Sequence, residues 1–154
     1  MSETTFRISI PTDNDGFILL QCNHCGEYFK ISASDCEDDG ILNLVCPACG
    51  LISDTYLTED VINLALAMIT NYAMDSIYDA FMDLERHNNK GPVTFKAGKK
   101  PKHEPENPIH SGIQALEKAE FPCCQRLAKI KPLLKITGCY CPFCGVKTFD
   151  FEQN

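Results

Sequence analysis

Cys22-Asn23-His24-Cys25-Gly26 and Cys46-Pro47-Ala48-Cys49-Gly50 decide how this chain folds. Twenty residues separate Cys25 from Cys46. The two-residue gap inside each pair turns the backbone tightly enough for both sulfurs to face one point. Four such sulfurs, each about 2.3 Å from an ion, make a tetrahedral site. The glycine after each second cysteine accepts a left-handed backbone, which lets N–H groups turn toward the sulfurs. Four buried free thiols would not call for the repeated glycines. The pattern therefore predicts one structural metal ion held by Cys22, Cys25, Cys46 and Cys49.

Near the other end, Cys141-Pro142-Phe143-Cys144-Gly145 repeats the motif, and upstream lie the adjacent Cys123-Cys124 and a single Cys139. A tetrahedral site needs two of those three. Neighbouring side chains diverge in a regular strand, but a turn at Pro122 aims both sulfurs of the adjacent pair inward. The expected ligands are Cys123, Cys124, Cys141 and Cys144, with Cys139 as a buried spare. The competing set puts Cys139 in place of Cys123 or Cys124. Cys36 has no partner at ligand spacing and reads as a neutral thiol. Two zinc ions are expected. Paired cysteines also hold iron, but no redox partner site is evident.

Ten cysteines in 154 residues, with no basic-then-apolar leader at the N-terminus, are expected to meet a reducing cytoplasm and to bind metal rather than form disulfides. The longest strongly apolar stretch, Val61 to Ile69, is too short to cross a bilayer, so no membrane partner is expected. The net charge of −7 is unevenly spread. Residues 1–85 carry about −13 and residues 86–154 about +6.

The pattern predicts an α+β chain: two small zinc-ribbon β modules connected by a long amphipathic helix and an extended proline- and lysine-rich segment. The divisions are a ribbon at 1–57, the helix at 58–88, an extended linker or arm at 89–120, and a second ribbon at 121–154. Alternation from Thr5 to Ile10 suggests a strand, Thr12 to Gly16 a turn, and Phe17 to Leu20, Tyr28 to Ile31 and Ile41 to Val45 further strands. Thr58 is the expected N-cap of the helix, with Glu59 and Asp60 in its first turn and Arg86 and His87 at its end. At 1.5 Å per residue it runs about 40 Å. Val93 to Lys96 suggests a strand, Ile113 to Glu120 a short helical turn, and Val146 to Phe151 a final strand.

Phe6-Arg7, Asp13, Asp15-Gly16-Phe17, the Cys22 to Gly26 turn and Phe29-Lys30 resemble a group of small bacterial proteins with two zinc ribbons. So do Phe121-Pro122-Cys123-Cys124 and the Cys141 to Gly145 turn. In that group histidine, itself a zinc ligand, often follows the proline-linked cysteine, so the resemblance implies Cys124 as a ligand beside Cys123. It implies a fold and carries no settled function.

An enzyme is not expected. Cys141-Pro142-Phe143-Cys144 has the letters of a glutaredoxin active site, but Gly145 follows at once, where that chemistry needs a helix N-terminus. Both metal sites are closed by four cysteines, whereas a catalytic zinc keeps an open position. The expected role is a non-enzymatic adaptor or accessory subunit, binding a larger protein or forming a homo-oligomer through the 58–88 helix. Met68, Met74, Met82, Tyr72, Tyr78 and Phe81 give that helix more apolar surface than a small ribbon covers. The second reading is a nucleic-acid-binding accessory protein using Lys96, Lys99, Lys100, Lys102, Arg126, Lys129, Lys131 and Lys135.

Overall fold

The computed structural model describes residues 3–88, 90–110, 112–113 and 115–151. They form two compact units: Ser9–Glu59 with Ile109–Asn154, and Met1–Ile8 with Asp60–Pro108. Mixed helix and antiparallel sheet make the chain α+β, as its two hydrophobic periods predict.

In the first unit, β1 (Phe17–Gln21) and β2 (Tyr28–Ser32) form a hairpin with Leu20 opposite Phe29. Another hairpin joins β3 (Glu117–Glu120) and β4 (Leu127–Ile130), with Ala119 opposite Ala128. The two hairpins are not separate: β2 pairs with β4, giving one sheet in the order β1-β2-β4-β3. Each hairpin leads into a short helix, α1 (Ala33–Cys36) after β2 and α3 (Pro132–Thr137) after β4. Ser32 caps α1 by accepting the Asp35 N–H at 3.1 Å, and Lys131 holds the same place before α3. A two-stranded ribbon of β5 (Cys139–Tyr140) and β6 (Lys147–Thr148) flanks the last cysteine turn, matched by a bridge between Val45 and Ile52 around Cys46 to Cys49.

These correspondences make the unit a structural repeat about an approximate two-fold axis. Lys30 and Lys129, each eight residues after the start of its hairpin turn, sit opposite one another in the β2–β4 pair. The later turns exchange equivalent bonds: Val45 N–H donates to Pro142 O at 2.8 Å and Tyr140 N–H to Pro47 O at 3.0 Å. One buried cluster serves both halves, with Phe29, Ile31, Phe121, Ala128 and Ile130 wholly enclosed beside Leu20 and Ala119. This grouping differs from the division at 1–57 and 121–154. The physical reason is edge pairing: an unpaired β2 edge exposes N–H and C=O groups, and β4 satisfies them.

Two lysines facing each other across a strand pair repel. Asp13, from the turn before β1, resolves the conflict. Its Oδ2 accepts from Lys30 Nζ at 3.0 Å and Lys129 Nζ at 2.7 Å, while its Oδ1 accepts the N–H groups of Asp15 and Phe17, both at 3.0 Å. Burial opposes the Asp13 charge, but the Lys129, Phe17, Lys30 and Asp15 donors together hold its pKa far below the usual carboxylate value. Burial likewise opposes the Lys129 charge, and Asp13 and Asp15 overcome it to raise that pKa.

The second unit is built on α2 (Glu59–Asn88). The arm does not hang free. Residues 97–106 run antiparallel along the helix: Ala97 N–H donates to Glu85, Lys100 and His103 reach Asp75, and buried Asn71 exchanges bonds with Glu104 at 2.8 and 3.0 Å. Phe6 packs edge-on against Tyr72, and Phe95 lies tilted against Phe81.

Several local expectations yield to tertiary context. Residues 5–10 form no strand, because Thr4 and Phe6 spend their contacts on Tyr72. Residues 41–44 and 93–96 are irregular, and only Lys147–Thr148 of the final stretch is a strand. The helical turn expected at 113–120 is instead β3 from Glu117, because β4 offers it a ladder; Ser111 and Gln114 lie outside the described residues. Thr58 stands just before α2, but its hydroxyl is buried without a hydrogen-bond partner among the described residues, so it does not cap the helix.

Candidate metal centres

Four turns share one backbone plan. In each, the first residue donates its N–H to the carbonyl five positions on and accepts the N–H from four positions on. The pairs are Cys22 with Glu27 and Gly26, Cys46 with Leu51 and Gly50, Phe121 with Arg126 and Gln125, and Cys141 with Val146 and Gly145. The fifth residue is left-handed every time, with φ of +75° at Gly26, +71° at Gly50 and +72° at Gly145. In the third turn it is Gln125, at +58°. The first residue is cysteine in three turns, and its sulfur receives two backbone amides: His24 and Cys25 for Cys22, Ala48 and Cys49 for Cys46, Phe143 and Cys144 for Cys141.

The exceptional turn explains the adjacent ligands. Phe121 occupies the first-cysteine position and is wholly buried. Cys124 keeps the place of Cys25, Cys49 and Cys144, and the missing sulfur comes from Cys123, at the third position of the turn. There the backbone is not a regular strand, so neighbouring side chains converge.

Cys22, Cys25, Cys46 and Cys49 form one tetrad, and Cys123, Cys124, Cys141 and Cys144 the other, with the sulfurs of each lying within 4.8 Å of one another. Cys22 and Cys49 sulfurs are 3.7 Å apart, Cys25 and Cys46 3.6 Å, and Cys124 and Cys141 3.6 Å. A disulfide would need about 2.05 Å. A tetrahedron with bonds of about 2.3 Å has edges of about 3.8 Å, so the sulfurs stand where one shared cation would put them. All eight donors are soft thiols, and four thiolates suit a closed site with no open coordination position.

Burial raises the Cys46 and Cys141 thiols far above the usual value, reinforced by neighbouring sulfurs and opposed by the turn amides. Burial, then Cys124 and Cys123, push Cys144 up to about 11. The thiolate is the metal ligand, so metal uptake displaces protons from these sulfurs. Cys22 differs: burial opposes its ionisation, but the amides of Cys25 and His24 and the neighbouring sulfurs bring its pKa below the usual value.

Cys139 belongs to neither tetrad. It is fully buried, its thiol is raised to about 11 by that burial, and it lies two residues before Cys141 as Leu20 lies before Cys22 and Ala119 before Phe121. That is an inward core position, which a small apolar thiol fills. Cys36 is exposed and also outside both tetrads. His24 hydrogen-bonds through Nε2 to Ile52 O at 3.2 Å, tying the first turn to the second. The residue whose role sequence reasoning missed is Asp13, taken as part of a turn and of the resembling motif, with no bonding role. A buried lysine at Lys30, flanked by Phe29 and Ile31, was the available signal that a carboxylate must come to meet it.

Gln125 yields a direct prediction. A non-glycine residue in the left-handed region costs roughly 1–2 kcal/mol, and the Gln125 side chain is exposed, with little packing to lose. Gln125→Gly should therefore stabilise the protein by about 1 kcal/mol, raising the melting temperature by roughly 3 °C without changing metal content. An unchanged or lower melting temperature would show that the turn carries no strain.

No family model, curated protein or solved structure matches this chain. The sulfur geometry itself carries the conclusion: the chain has two four-cysteine sites, each able to hold one metal ion.

Proposed function

We propose that the chain is a non-enzymatic adaptor or accessory subunit, built on two zinc ribbons and acting through the long helix. The observation that carries the reading is that α2, packed on one side by residues 3–8 and the arm, leaves Ile62, Leu66, Ile69, Ile77 and Leu84 between 39 and 57 % exposed. Soluble surfaces rarely leave a contiguous apolar strip of that length without a partner.

Zinc suits both tetrads because a filled d shell takes four thiolates tetrahedrally and brings no redox chemistry. When bound, the ion cross-links the turns. Cys22, Cys25, Cys46 and Cys49 would hold one, and Cys123, Cys124, Cys141 and Cys144 the other.

Tyr72 and Phe81 are engaged inside the unit by Phe6 and Phe95, which moves the expected interface onto the isoleucine and leucine strip. Of the eight bases that suggested nucleic acid, Lys100, Arg126, Lys129, Lys131 and Lys135 form ion pairs within the chain. These internal pairs weigh against the nucleic-acid reading.

The test combines zinc content with partner retention. The adaptor reading expects two zinc ions per chain and a specific protein complex lost in an Ile69→Asp, Ile77→Asp variant that keeps both ions. Nucleic-acid binding with a steep salt dependence, abolished by changing Lys96, Lys99, Lys100 and Lys102 together, would overturn it.

A further inference from the structure

The exposed strip on α2 has an internal symmetry. At 3.6 residues per turn, Ile62, Leu66, Ile69, Ala73, Ile77, Ala80 and Leu84 fall within a band about 80° wide, centred on Ala73. All seven are exposed. Their spacing of three and four residues is that of a seam between two helices.

Residues equidistant from Ala73 match one another in kind. Ile62 corresponds to Leu84, Ile69 to Ile77, and Leu66 to Ala80, a large residue to a small one. Beside the band Thr70 corresponds to Ser76. At the ends of the same band stand Glu59 and His87, also equidistant from Ala73 and of complementary chemistry. His87 Nδ1 donates to Asp83 O at 2.7 Å, so the imidazolium form presents Nε2–H as a second donor, free to meet a carboxylate.

We propose that α2 pairs antiparallel with α2 of a second copy of this chain, the two-fold axis passing through Ala73. The inference rests on the reading of this strip as an interface and names its occupant. An antiparallel partner brings each acidic N-terminal end beside a C-terminal end that carries a basic last turn, and it opposes the helix dipoles favourably. A parallel pair would set Glu59 against Glu59 and Leu66 against Leu66. In the antiparallel pair Leu66 enters the space over Ala80, the large-to-small fit that close packing requires. A closed two-fold contact uses the same patch on both copies, and a palindromic strip is what such a contact needs.

The experiment is native mass by sedimentation equilibrium on the full, metal-loaded chain. The expected mass is twice 17.2 kDa. Because Ala73 meets its own copy, Ala73→Glu and Ala73→Lys should each weaken dimerisation at least about 100-fold, while an equimolar mixture of the two recovers it. Glu59→Lys should weaken the dimer, and Glu59→Lys with His87→Glu in the same chain should restore it. Circular dichroism and metal content check that every variant is folded.

A wild-type monomer overturns the proposal. So does a dimer in which the double swap fails to restore what Glu59→Lys loses, since that points to parallel helices or another face. A monomer that still forms an Ile69- and Ile77-dependent complex with another protein sinks the homodimer alone. A monomer with no such complex sinks the adaptor reading with it.

Discussion

Cys46→Ser is expected to remove one metal ion and to unfold both halves of the β unit, not only the first. Cys46 is fully buried, and its sulfur lies 3.6 Å from that of Cys25. Losing one of four thiolates forfeits most of a binding free energy that reaches about 10–16 kcal/mol for structural zinc in isolated fingers. Net stabilities of about 5–15 kcal/mol leave nothing to absorb such a loss. Two separate ribbons would contain the damage. Here β2 and β4 share a ladder, Val45 and Tyr140 donate across to Pro142 and Pro47, and one apolar cluster serves both tetrads. The measurement is zinc per chain together with amide exchange of β3 and β4. Loss of protection in both strands is the expected outcome. An unfolded first half beside a fully protected β3–β4 hairpin would show that the halves are independent.

Asp13→Asn is expected to cost about 3–5 kcal/mol, the range for removing one partner from a buried charge pair. It preserves size but leaves Lys30, only 3 % exposed, and Lys129 facing each other without a carboxylate. Replacing Lys129 by methionine in the Asp13→Asn background should recover part of the loss, because the repulsion across β2–β4 disappears. If the double variant is no more stable than the single one, the lysine pair is not the source. The sign of the pH effect follows from a carboxyl pKa that is lowered in the folded state. The contribution of Asp13 is fully present above the ordinary carboxylate value of 3.8 and is lost only as the pH falls below it. Between pH 7 and 5 the difference between the wild type and Asp13→Asn should therefore stay constant. Denaturant melts across that range check it.

Arg126, in the third turn, reaches Asp35 at 2.6 Å and Asp38 at 2.8 Å in the acidic segment of the first half. Lys118 and Lys129 reach Asp15. Basic residues of β3, β4 and the third turn thus neutralise acidic residues of the first half within one unit. Among the described residues no helix is long and apolar enough to cross a membrane, α2 included.

Residue spacing alone determined the first cysteine tetrad, the positions of β1 and β2, and the long helix; in the second tetrad it fixed Cys141 and Cys144 and left Cys139 competing with Cys123 and Cys124. Those features are local. A turn of five residues with a glycine at its end places two sulfurs with little help from elsewhere, and a thirty-residue helix announces its period in its own side chains. The glycine rule pointed to three of the four turns; the fourth hides because Phe121 and Gln125 replace the cysteine and the glycine while the backbone bonds stay the same. Only the tertiary structure decided that the hairpins join into one sheet, that Asp13 bridges Lys30 and Lys129, that the arm lies along α2, and that Cys139 belongs to the core. Each depends on a partner distant in sequence, and strand edges, buried charges and helix faces do not encode in their own residues what will satisfy them.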